Sequence, residues 1–317
     1  MRRRNFLATL GAAALWPSHG YAQQAALRRL GYLTLSSNAE PYLTHFRQGL
    51  REFGLHEGKN IVVDVKSAAT AKVLPDMVAD LLRDKVAIIV TNQTPATRAA
   101  QAGTRDIPIV MAPAGDPVGA GFIKSLAQPG GNITGVSASG PEAAAKTLEL
   151  MRELLPTLKR IAVLLDANNP YSKPFFEQIN AAGKTMAVDV QPYSVKNNDE
   201  LEAAFPALVK ARSEAAIIVN TLGFPAVALA VKHRVAAIGT NSAFADAGCV
   251  LSYNADPRDL CYKAASYVDR IFRGQRPSDL PVALPTKFEL VINHKVARSF
   301  GMTVPQTLLL RADKVID

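Results

Sequence analysis

The sequence predicts an α/β protein built on parallel sheets and divided into two lobes. Three observations carry that expectation. Ten short runs rich in Val, Ile and Leu recur along the chain, most of them continuous rather than alternating, as in Val86-Ala87-Ile88-Ile89-Val90. Such runs suit strands buried on both faces. Helical spacing fills most of the gaps between them, and strand–helix–strand repeated this often gives layered parallel sheets with right-handed crossovers. A length of 317 residues is a soft prior for about two domains. One continuous ten-stranded sheet is the alternative; two lobes of five strands fit the length and the punctuation better.

The expected strands cover 29–35, 61–65, 86–91, 107–112, 133–137, 160–166, 186–190, 215–220, 235–239 and 249–253. The expected helices cover 41–54, 73–84, 94–103, 117–127, 141–155, 171–183, 198–212, 224–234 and 257–273. The last sets Leu260, Ala264, Tyr267, Val268 and Ile271 on one face. Pro129-Gly130-Gly131-Asn132 is a turn before a strand, and Ser139-Gly140-Pro141 ends that strand before a new helix. Arg276 to Pro285 carries three prolines, cannot be helical and reads as a strap between lobes.

Residues 1–22 read as an export signal. Arg2-Arg3-Arg4 is a basic start, Phe6 to Trp16 an apolar stretch too short to span a bilayer, and Gly20-Tyr21-Ala22 a cleavage site before Gln23. Arg3-Arg4-Asn5-Phe6-Leu7 resembles a twin-arginine signal, with an ordinary secretory signal as the alternative. Either way the destination is extracytoplasmic, and periplasmic in a bacterium. Removing the leader with its three arginines leaves +6 of the formal +9 charge. The remaining basic residues do not cluster beyond pairs such as Arg28-Arg29, so no nucleic-acid partner is expected. Cys249 and Cys261 lie in apolar surroundings and read as two buried thiols rather than a disulfide.

In open parallel sheets, ligands bind beyond the carboxyl ends of the strands. The loops there are Ser36-Ser37-Asn38, Asn92-Gln93-Thr94, Pro113 to Asp116, Asn168 to Tyr171, Asn220-Thr221-Leu222 and Asn241 to Phe244. They are dense in neutral hydrogen-bonding groups and poor in charge, which suits a small polar or zwitterionic ligand. Asn and Ser are also good turn and helix-cap formers, and any one of them has that simpler explanation. Catalytic machinery is missing. The histidines form no metal-ligand spacing. Gly135 to Gly140 misses the nucleophile-elbow pattern by one place, and the glycines at 115, 119 and 121 fail the dinucleotide fingerprint. No enzyme, cofactor or metal is expected.

Several segments carry a family resemblance. They are Leu251-Ser252-Tyr253, Ala264 to Ile271, Asp279 to Val282, Pro285 to Asn293 and Leu309 to Ile316 in the last third. The middle adds Gly115-Asp116-Pro117-Val118, Ser125 to Gly135 and Leu154 to Leu164, and the start adds Leu30 to Leu33 and Phe46 to Gly54. Over residues 28–317 the chain resembles the ABC-transporter substrate-binding proteins of the tryptophan/tyrosine type. The resemblance implies a periplasmic binding protein of type I: two Rossmann-like lobes with parallel-sheet cores, joined by a three-strand hinge. The lobes would be 27–138 plus 254–285, and 139–253 plus 286–317. It implies a monomer that closes on an aromatic amino acid or aromatic carboxylate and delivers it to a membrane permease. A module presenting its ligand to a membrane receptor is the alternative. The first-lobe contacts would be Ser36, Ser37, Asn92, Gln93, Thr94 and Asp116, the last facing an ammonium. The second-lobe contacts would be Asn168, Tyr171, Asn220, Thr221 and Phe244, with Tyr171 and Phe244 stacking on a ring. Cys249 and Asn254 stand where relatives commonly carry glycine, and the 220–225 segment is short.

Overall fold

A computed structural model describes residues 27–36, 39–138 and 141–317, without the side chains of residues 41, 141 and 142. The export signal and Ser37 lie outside the described residues.

The chain runs β1 (Arg28–Thr34), α1 (Glu40–Glu52), β2 (Ile61–Ser67), α2 (Leu74–Arg83), β3 (Ile88–Asn92), α3 (Thr94–Gly103), β4 (Ile109–Ala114) and β5 (Ile133–Ser137). These five strands form one sheet in the order β2-β1-β3-β4-β5, parallel throughout. The chain continues as α4 (Pro141–Leu154), β6 (Arg160–Asp166), α5 (Ser172–Met186), β7 (Asp189–Val195), α6 (Asn198–Lys210), β8 (Ala215–Ile218), α7 (Gly223–Lys232), β9 (Ala236–Gly239), α8 (Ala243–Ala247) and β10 (Leu251–Ala255). It ends with α9 (Pro257–Phe272), β11 (Phe288–Asn293), α10 (His294–Ser299), α11 (Gln306–Leu309) and β12 (Lys314–Ile316). The second sheet has seven strands in the order β12-β11-β10-β9-β8-β6-β7.

Burial explains the strand pattern. β3, β4, β5, β8 and β9 are buried at every position, because helices cover both faces. The edge strand β7 alternates instead, and carries Pro192 where no outer neighbour needs its N–H. The helix α9 leaves the second sheet after β10 and packs on the first. Its Leu260, Cys261, Ala264 and Val268 share a core with Leu30, Tyr32, Phe46 and Leu50. The chain then recrosses, and Leu290 and Ile292 of β11 join the core of the second sheet. The chain therefore passes between the sheets three times: after β5, after β10 and before β11.

Three expectations need correction. The second sheet gains β11 and β12 from the last thirty residues, and β11 runs antiparallel to β10 because it enters from the other side. The strand expected at 186–190 is displaced to Asp189–Val195, since α5 runs on to Met186 and ends at a left-handed Ala187. The helix expected over 117–127 is a series of turns. Gly121 has φ +70°, outside helical space, and the Asp116 carboxylate accepts the Gly119 N–H at 2.9 Å. Arg98 and Gln101 of α3 take the carbonyls of Ala120 and Gly121, so side chains replace helical bonds there.

Cys249 and Cys261 are free and buried in different cores. Burial pushes each thiol up to about 12. Among the described residues no helix is long and apolar enough to cross a membrane, and no cluster of His, Cys, Asp or Glu could hold a metal ion.

Candidate ligand-binding site

The carboxyl ends of the two sheets face one cavity, with about 990 Å3 of empty space including its open mouth. The first sheet supplies Asn92, Gln93 and Thr94 at the end of β3, and Pro113 and Gly115 at the end of β4. The second supplies Asn169, Tyr171 and Ser172 after β6, Asn220 and Thr221 after β8, Thr240 after β9, and Tyr253 and Asn254 in β10. Tyr42 of α1, Phe175 of α5 and Phe288 of β11 complete an aromatic lining. None of the described lining residues carries a formal charge.

Local hydrogen bonds hold most of these groups. The buried Asn92 amide accepts from Thr34 Oγ1 at 3.2 Å and donates to the Ala112 carbonyl at 2.6 Å, tying β3 to β1 and β4. Thr94 Oγ1 accepts the Gly115 N–H at 3.0 Å. Gln93 sits at φ +76°, a region where a residue with a side chain is strained, and its own N–H is held by the Pro113 carbonyl at 2.8 Å. Asn169 Oδ1 accepts the Tyr171 N–H at 3.0 Å, and Ser172 Oγ donates to the Asp166 carbonyl at 2.6 Å, which fixes the start of α5. The Asn220 N–H donates to Thr240 Oγ1 at 2.9 Å, and Asn220 Oδ1 accepts from Asn241 at 2.7 Å.

Four of the five lining rings form two pairs. Tyr253 and Phe288 stack across β10 and β11, with centroids 5.3 Å apart and planes at 13°. Tyr171 and Phe175 tilt against each other at 5.7 Å on α5. The Tyr171 ring also reaches the opposite side of the cavity. A Cβ added to Gly115 would lie 2.6 Å from Cγ and Cδ1 of that ring, so the tyrosine rests directly on the Gly115 backbone. Burial raises the phenols of Tyr42, up to about 12, and of Tyr253. Asp166 stands behind the wall: burial pushes its carboxyl above the usual range, against a hydrogen bond from the Asn168 N–H at 2.9 Å.

Of the residues named from sequence, Asn92, Gln93, Thr94, Tyr171, Asn220 and Thr221 come together on the wall. Ser36, Asp116, Asn168 and Phe244 do not. Ser36 lies just past β1, where its carbonyl accepts from the Ser67 hydroxyl. Asp116 spends its carboxylate on the Gly119 turn, and Asn168 donates to the Lys196 carbonyl at 3.0 Å. Phe244 is 1% exposed and fills the core beneath Gly239. The sequence reading missed Tyr42, Phe175, Tyr253, Asn254 and Phe288. Their helical or strand spacing marks the rings as core, and no local pattern sets them apart.

Two lobes with parallel-sheet cores, three crossings and a cavity at the facing strand ends define a two-lobed solute-binding protein of the type I periplasmic class. The chain belongs to the ABC transporter substrate binding protein family, whose model matches residues 41–316. That is a family of solute-binding proteins, not of enzymes, and it is extracytoplasmic. The chain is 28% identical over 262 residues to a tyrosine-binding protein of Clostridioides difficile, covering 81% of this chain and 75% of that protein. Its structure is similar to that of an ABC domain in complex with L-Trp from Streptococcus pneumonia, with a TM-score of 0.84 and 25% identity over 92% of this chain and all of that one. A conserved domain protein from Vibrio cholerae matches equally well, with a TM-score of 0.84, 26% identity, and 91% and 99% of the two chains covered.

Proposed function

We propose that this protein is a periplasmic receptor that closes on an aromatic amino acid and delivers it to the permease of an ABC importer. The observation that carries this reading is the lining itself: five aromatic side chains beside amides and hydroxyls, at the strand ends of both sheets. Aromatic walls favour a flat apolar group by area and by ring geometry. The α3 N-terminus, capped by no side chain and lining the cavity at Gln93 and Thr94, suits a carboxylate through its dipole. Asn220, its oxygen engaged by Asn241, offers that carboxylate its amide N–H donors. The tryptophan complex and the tyrosine-binding relative support the same ligand class.

The moving bodies in this reading are 27–138 with 254–285 and 139–253 with 286–317. The shared core of α9 with β1, and of β11 with α4, supports that division. A ligand that touches both walls only in the closed form shifts the population toward closure. Transport by a permease follows from the family, and the chain acts as a monomer whose leader is cleaved before Gln23. Isothermal titration of the purified protein with L-tryptophan, L-tyrosine and L-phenylalanine, against L-leucine and a pentose, tests the ligand class. Saturable binding of an aromatic amino acid alone supports it; binding confined to leucine or the sugar refutes it.

A further inference from the structure

The cavity wall raises a problem of charge. An amino acid brings an ammonium as well as a carboxylate, and no described lining residue offers a carboxylate to pair with it. Three wall residues hold a buried oxygen without a partner, Gln93, Thr221 and Asn254; the Thr221 hydroxyl is also a donor, whereas the two amide oxygens only accept. Gln93 Oε1 and Asn254 Oδ1 are buried and make no hydrogen bond. Neighbouring amides are spent on the protein itself: Asn92 on Thr34 and Ala112, Asn169 on the Tyr171 N–H.

The orientation of Asn254 is fixed by chemistry. Its Nδ2 donates to the Ala255 carbonyl at 2.9 Å. Turning the amide over would set oxygen against oxygen, so Oδ1 is the atom left without a donor. Gln93 is held in its strained conformation at the N-terminus of α3, beside β4. The two residues belong to different sheets: Gln93 follows β3 of the first, and Asn254 lies in β10 of the second. A buried acceptor without a donor carries its full desolvation cost, and such groups cluster where a partner arrives.

We propose that Gln93 Oε1 and Asn254 Oδ1 together receive the ammonium of the ligand, and so select amino acids over aromatic acids that lack the amine. The inference rests on the aromatic-ligand reading above and adds the group that discriminates within it. An ammonium has three donors and can serve both oxygens at once. Neutral amide dipoles provide this at lower desolvation cost than a buried carboxylate.

The test compares each aromatic amino acid with its des-amino analogue, such as L-phenylalanine with 3-phenylpropanoate and L-tryptophan with 3-(indol-3-yl)propanoate, by isothermal titration. Charge-assisted hydrogen bonds of ordinary strength predict that the analogue binds at least ~10-fold more weakly. Asn254→Ala lowers amino-acid affinity by roughly 10-fold and leaves the analogue nearly unchanged. Gln93→Glu keeps the shape, places a charge beside the ammonium, and raises the amino-acid to analogue ratio above that of the unmodified protein. Far-ultraviolet circular dichroism checks that both variants are folded. Equal affinity for the two ligand classes, or an unchanged ratio in both folded variants, overturns the inference while leaving the aromatic reading in place. Failure of both classes to bind overturns the two together.

Discussion

On the side of the five-stranded sheet, the cavity wall includes Asn92, Gln93, Thr94, Pro113 and Gly115, with the rings of Tyr42 and Phe288 packed against that core. On the side of the seven-stranded sheet, Tyr171, Phe175 and Tyr253 stand among Asn220, Thr221 and Thr240. The first wall is largely amide and backbone, fixed by bonds between neighbouring strands. The second carries the rings of Tyr171 and Phe175 at the start of α5 and of Tyr253 within β10. A ligand that joins such walls needs two unlike faces, and an amino acid with a flat side chain has them.

The strongest way to break this pairing is at the place where the walls touch. Gly115→Val inserts a branched side chain into space the Tyr171 ring occupies. Overpacking of this kind costs about 1–3 kcal/mol, so the closed form and ligand affinity fall by roughly 10- to 100-fold. Small-angle scattering with saturating ligand then gives a larger radius than for the unmodified protein. Adding Tyr171→Ala restores closure but not full affinity, since the ring is lost. The Gly115 backbone itself lies outside the left-handed region, so the effect belongs to the ring and not to strain.

Removing one ring of the stacked pair weakens the aromatic wall alone. Phe288→Ala is expected to lower affinity for tryptophan by about 1–2 kcal/mol, read by titration, with a smaller loss for a ligand whose ring is smaller. Asn92 separates structural from binding roles on the opposite wall. Its amide is used between β1, β3 and β4. Asn92→Ala therefore lowers the melting temperature, by the equivalent of about 1–3 kcal/mol, while the ligand-induced rise in that temperature persists. Affinity loss without destabilisation would instead place its amide on the ligand.

The smallest effect expected is a pH dependence from Asp166. Burial raises its folded carboxyl pKa above the ordinary 3.8, so the folded protein holds a proton there more tightly than the unfolded chain. Stability then falls as pH rises from 3.8 through the folded value, and the penalty is full above it. Asp166→Asn removes that segment of the curve and raises stability at neutral pH. Thermal melts between pH 3.5 and 7 measure it, and a variant whose curve keeps the same slope would assign the slope to other groups.

The alternation of elements was legible because continuous apolar runs such as Ile88-Ile89-Val90 have few other uses in a chain of this size. The positions of the strand ends followed, and with them Asn92, Gln93, Thr94, Asn220 and Thr221. What local pattern could not show was how each polar side chain is spent. Asp116, Asn168 and Asn92 have the same chemistry on paper as a ligand contact, and all three are consumed by their own neighbourhood. The rings of Tyr253 and Phe288 were hidden for the opposite reason. Their register across an antiparallel pair depends on a strand that returns from the other sheet, after a strap of more than a dozen residues. The Gly121 turn illustrates a third limit: the 117–127 stretch has helical spacing, yet Arg98 and Gln101 supply bonds that no local pattern contains.

The two thiols offer a last consequence. One sits in the core beneath β1 and the other in the core beneath β9, with a single free cysteine to each. A thiol reagent reaches either only when the surrounding core loosens. The protein thus carries one native clock per half, and mass spectrometry of labelled peptides, timed with and without ligand, reads how tightly each half is sealed without any engineered probe.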